Sequence, residues 1–261
     1  MIRTAILLVA GMATLHAQIP VDRAWKNLID GAASDKADMR GKATIALGLI
    51  PQDPKSRELA EKALADTNAD VRTAAASALG HMGATASIPK LKETLKDHEA
   101  QVVLAAASAL LAMGDSTAYM VYYAVLTGER KTGESLAETQ MKMLKDPKAM
   151  AGMGLEAGLG FIPFAGAGLK VFKTVTKDDT SPVRAAAAQR LAKDPDPKSG
   201  EALSKTASDG KWLVRAAVAD AIAKRDDPAL LPAVVGLLSD ENDSVRFNAS
   251  AAVIRLTKKQ E

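Results

Sequence analysis

The sequence predicts an all-α solenoid of about seven antiparallel helix pairs, broken once by a glycine- and aromatic-rich insertion. Three observations predict it. First, a phrase recurs: an Asp, four residues, then Val-Arg or its equivalent opening an alanine-rich stretch. It reads Asp66…Val71-Arg72, Asp97…Val102-Val103, Asp178…Val183-Arg184, Asp209…Val214-Arg215 and Asp240…Val245-Arg246. The valines step by 31 residues from 71 to 102, from 183 to 214 and from 214 to 245, and a fixed period of this size marks a solenoid whose units bury their apolar faces against neighbours. Second, apolar residues inside each period are spaced three and four apart, the stripe of an amphipathic helix. Third, aromatics make up only 3% of the chain while alanine is abundant, so helices can approach closely.

The last unit is the template. Asp227 caps a helix that begins at Pro228 and runs through Leu238; a polar turn follows, and a second helix runs from Val245 past Leu256. The same pair, laid along the chain, places first helices near 22–31, 55–65, 86–96, 115–127, 165–177, 198–208 and 228–239. Second helices fall near 38–48, 70–81, 101–113, 133–145, 181–192, 212–224 and 244–257. The first unit lacks the Asp, but Met39-Arg40 to Gly48 matches Val71-Arg72 to Gly80 at a step of 32. The fourth unit is degenerate: Leu136, Met143 and Leu144 keep a stripe without the Val-Arg opening. About 19 surplus residues fit between Pro147 and Pro163, which divides the chain into repeats over 18–145, an insertion over 146–164 and repeats over 165–261.

Residues 1–17 read as a secretory signal. Arg3 precedes an apolar run from Ala5 to Leu15, too short to span a bilayer, and Leu15-His16-Ala17-Gln18 places cleavage near Ala17. The expected location is therefore the periplasm or the exterior. The chain has no cysteine, which excludes a disulfide framework and a thiol nucleophile. A net charge of +3 with both signs interspersed gives no reason to expect nucleic acid as a ligand.

The repeated phrases resemble HEAT repeats, in particular the short HEAT-like units of phycobilin lyases. The resemblance implies a right-handed superhelix whose second helices line a concave docking face. It implies no single chemistry, because the same fold carries scaffolds, lyases and hydroxylases. In that family the phrase commonly forms a ladder. Here Arg72, Arg184, Arg215 and Arg246 stack one per unit, each matched by Asp66, Asp178, Asp209 or Asp240 in its own or a neighbouring turn, with Asp97 holding the same place in the third unit. The ladder is expected to set register between units; the competing reading is a row that binds an acidic partner or phosphate.

His98-Glu99 calls to mind the His-Glu pairs of the di-iron hydroxylases of that fold, but no second such pair follows, and only His81 and His98 remain beyond the signal. No metal and no cofactor are expected. Gly152-Met153-Gly154-Leu155-Glu156-Ala157-Gly158 misses the dinucleotide spacing by one residue and follows no strand. No nucleophile elbow or phosphate loop occurs, and no catalytic residue is assigned.

Six of the nine aromatics cluster around the insertion: Tyr119, Tyr122, Tyr123, Phe161, Phe164 and Phe172. They either fill a wider gap in the stack, anchor a protein partner, or meet a membrane or an apolar ligand through residues 150–172. Trp212 packs over a neighbouring pair or touches a ligand at the rim. The expected function is a non-catalytic, exported scaffold that binds a protein through its concave face, where Arg72, Gln101, Arg184 and Arg215 open each unit. Peripheral membrane binding and, on family resemblance alone, a bilin-lyase-like enzyme or chaperone are the alternatives.

Overall fold

In the computed structural model the described residues are 20–119, 121–122 and 180–258. They form an all-α solenoid of paired helices. Residues 20–32 are helical and are named α1; α2 is Ala37–Leu47, α3 Pro54–Ala63, α4 Ala69–Met82, α5 Ile88–Thr94 and α6 Ala100–Ala112. After the undescribed stretch come α7, Ser181–Leu191; α8, Pro197–Thr206; α9, Trp212–Arg225; α10, Leu231–Val235; and α11, Asp243–Thr257. The signal, the insertion, Tyr123, Phe161, Phe164, Phe172 and Asp178 lie outside the described residues.

Local chemistry accounts for the boundaries. Asn68 caps α4 by accepting from the Asp70 and Val71 amides, and Asn242 does the same for Ser244 and Val245 at the start of α11. Asp53, Asp196 and Asp227 cap elements that open on proline, whose missing N–H costs nothing at that position. Gly83 ends α4 in the left-handed region, and one repeat later Gly114 follows α6 in the same conformation; Asp226 repeats it after α9. The stretch 228–239, expected as one helix, is a short 3-10 turn, the five residues of α10, and a second 3-10 turn. Pro232 within it removes an amide donor, and tighter turns replace the α ladder.

Second helices of adjacent units pack along one another: α2 on α4, α4 on α6, α7 on α9 and α9 on α11. First helices touch mainly the second helices beside them. A stack whose second helices are closer together than its first helices curves toward the second, so these line the inner face. Glycines set that closeness. A Cβ on Gly80 would lie 2.9 Å from the Ala109 Cα, and one on Gly48 would lie 3.0 Å from the Ala78 Cα.

The order of the stack is not the order of the chain. α11, the second helix of the last unit, packs on α2 of the first. The inner row therefore runs α7, α9, α11, α2, α4, α6, and the first and last units meet in its middle. Chain periodicity places these units at opposite ends; the fold joins them because each has an apolar face without a covalent neighbour to cover it. Phe247, only 1% exposed, fills the hollow beside Gly31. Asn27 Nδ2 donates to the Leu238 carbonyl at 3.0 Å and to Ser250 Oγ at 3.1 Å, and Arg255 Nη1 donates to the Leu49 carbonyl at 3.1 Å. Lys258 pairs with Asp53 across the same joint.

Candidate functional site in the inner row

The recurring phrase has a clear physical basis. Each turn aspartate accepts the amide two residues ahead: Asn68 N on Asp66, Glu99 N on Asp97, Lys211 N on Asp209 and Asn242 N on Asp240, at 2.8 to 2.9 Å. Its carbonyl accepts from the arginine of its own unit, Arg72 Nη1 on Asp66, Arg215 on Asp209 and Arg246 on Asp240. Its carboxylate takes the guanidinium fork of the preceding unit: Arg72 on Asp97 at 2.7 and 2.9 Å, Arg215 on Asp240 at 2.7 and 3.0 Å. Arg184 reaches Asp209 in the same way. One rung was missed by sequence reasoning: Arg40 grips Asp66 at 2.7 and 2.8 Å, legible from Asp66 having no other upstream arginine.

The forks hold their carboxyls below the ordinary range. For Asp66 the Arg40 fork dominates. For Asp97 and Asp240 burial pushes the pKa up, and the Arg72 and Arg215 forks with the turn amides more than reverse it. These arginines are thus committed to register between units. Arg72, named above as a concave-face contact, is buried and closed to a partner. Gln101 donates to Asp70 at 3.1 Å from an exposed position.

Among the aromatics, Tyr119 is 62% exposed, Tyr122 packs against the core, and Trp212 opens α9 partly exposed. Tyr119 and Trp212 stand on opposite sides of the central joint and form no common patch. His98 lies in its turn beside Asp97 and Glu99.

The fold builds a different site, at the centre of the inner row. A cavity of about 140 Å³ is lined by Ile45, Gly48, Leu49 and His81 from the first two units and by Asp220, Lys224, Asn248 and Arg255 from the last two. Leu49, His81, Lys224 and Arg255 hold one register position, nine residues after the ladder arginines Arg40, Arg72, Arg215 and Arg246. Asp220 is 2% exposed, an ionisable side chain in the middle of an alanine-rich helix. Lys224 pairs with it at 2.8 Å and Gln189 Nε2 donates to it at 2.6 Å. Arg255 Nε donates to Asp226 at 3.0 Å, and Asn248 Nδ2 to the Ala216 carbonyl at 3.1 Å. Burial, helped by the Lys224 ammonium and opposed by Asp220, holds the His81 imidazole below its ordinary pKa. The lining offers charge and hydrogen bonds but no hydroxyl or thiol, and among the described residues no three metal-binding side chains converge. Such an arrangement suits binding.

The family model for HEAT repeats matches residues 26–112 and 169–255, two-thirds of the chain. The chain belongs to the HEAT-repeat family. This HEAT-repeat protein is also similar to solved structures. Human deoxyhypusine hydroxylase in complex with glycerol is 18% identical, with 96% of this chain and 100% of that chain covered and a TM-score of 0.34. The complex of CpcE and CpcF of phycocyanin lyase from Nostoc sp. is 20% identical over 90% and 93%, with a TM-score of 0.36. An engineered protein is 16% identical over 91% and 97%, with a TM-score of 0.32. At these scores no site or activity carries over to this chain. No curated protein matches it.

Proposed function

We propose that this HEAT-repeat protein is a non-catalytic, exported scaffold that binds a protein partner along its inner row of second helices. The observation that supports this most is the continuity of that row across the joint, with a polar cavity at its centre and side chains of both chain halves around it. A rigid curved surface spends little ordering entropy on a long partner. Export is inferred from residues 1–17, and the insertion over 146–164 is a second contact in this reading.

The test is site-specific photo-crosslinking in the source cells. Probes at His81, Lys193 and Lys224 sample the inner row, and probes at Glu58 and Lys198 sample first helices. A discrete protein adduct from the inner positions alone supports the proposal. Adducts confined to Glu58 and Lys198 would sink it.

A further inference from the structure

The joint between the last and first units differs from the other interfaces of the stack. It has no arginine–aspartate rung: Ser34 stands where other units carry the turn aspartate, and Arg246 pairs instead with Asp243 of its own helix. It is held by the Phe247 knob and the Asn27, Arg255 and Lys258 contacts, and it encloses the central cavity. We propose that this joint is an acid-sensitive latch, in which a proton on His81 places a third cation beside Lys224 and Arg255 and loosens the docking of the last unit on the first.

The surroundings of His81 support this. α9 faces it with Asp220 and Lys224, and α11 with Arg255. α2 contributes Ile45, Gly48 and Leu49, none of which titrates. α6 carries no titratable residue, and of Lys55, Arg57, Glu58, Glu61 and Lys62 on α3 none lines the cavity. Asp220, the cavity's one carboxylate among the described residues, is already engaged by Lys224 and Gln189, and Arg255 is neutralised by Asp226 from outside the lining. The added charge therefore meets two cations and one carboxylate that is already paired. Because the closed joint depresses the imidazole's affinity for a proton, the open form takes it more readily, and closure is penalised as pH falls below about 6.5. The ladder carboxyls, whose pKa values are depressed, respond only below about 4, so the two windows are separate. That acid would remodel the centre of the binding surface rests on the scaffold reading; the latch itself does not.

The experiment is hydrogen exchange on the full chain at pH 7.5 and 5.5, corrected for intrinsic rates and with no partner present. The latch predicts a loss of protection of up to about tenfold per pH unit below 6.5 in α1, α2 and α11. The α4–α6 contact should not follow. His81→Asn should remove the pH dependence. Since the chain lacks cysteine, an Asn27→Cys/Ser250→Cys disulfide across the joint should hold protection at both pH values. Protection at the joint that ignores pH, or an equal loss in His81→Asn, would overturn the latch. Crosslinking from the inner row would then still decide the scaffold reading on its own.

Discussion

Gly31 of α1 and Phe247 of α11 fit as hollow and knob: a Cβ on Gly31 would stand 2.5 Å from Phe247 Cζ and 2.9 Å from Ala43 Cβ. The ring is fully buried and has no room to swing aside. In the sixth unit the residue equivalent to Phe247 is Ala216, so the aromatic marks the unit that must dock without a covalent successor.

Gly31→Ala should therefore destabilise the fold by about 1–3 kcal/mol through overpacking, although alanine is the better helix former. Phe247→Ala should cost about 3–5 kcal/mol by leaving a cavity. Urea unfolding checks both, and in the double variant the clash disappears, so its cost should fall short of the sum of the two single costs.

Two glycine substitutions should have opposite signs. Gly80→Ala drives a methyl into the Ala109 backbone and should pry α4 from α6, lowering stability by about 1–3 kcal/mol. Gly41→Ala, inside α2 with nothing within 4 Å of its added Cβ, should raise stability by about 0.5–1 kcal/mol. Thermal melting of the pair decides whether close approach or helix propensity governs each site.

The ladder rungs should differ with burial. Arg72→Met leaves Asp97 buried without its fork and should cost about 3–5 kcal/mol, and Arg72→Lys should recover only part because an ammonium cannot bridge both oxygens. Arg184, 42% exposed, should contribute about 0.2–1 kcal/mol, and less at high salt. Chemical denaturation at low and high salt separates the two.

Acid should act on the rungs with a definite sign. Asp66, Asp97 and Asp240 hold their protons less tightly folded than unfolded, so the stability they contribute is full above the ordinary carboxylate range and is lost as pH falls below about 4. Unfolding free energy followed from pH 5 to pH 2 should fall through this window. Arg72→Met should flatten part of it.

The helices and their ladder phrase were legible in the sequence because both rest on local or one-period relations. A 31-residue step, an Asx turn two residues long and a cap at Asn68 or Asn242 all lie within one unit or between neighbours. The Arg40 rung was within reach by the same logic, since its partner is one period away.

The cavity was not legible, because Asp220 and Lys224 on one side and His81 on the other come from units that chain order keeps far apart. Read alone, Asp220 is a carboxylate on an alanine-rich helix and His81 a residue in a helix's last turn. By itself the sequence determined the repeat, the pairing of helices and the turn chemistry, since each is fixed by contacts within a period. The tertiary structure alone decided which faces of the end units meet and what gathers between them. Docking the last unit on the first depends on shape over long range, a phenylalanine against a missing Cβ, and no periodic pattern records that fit.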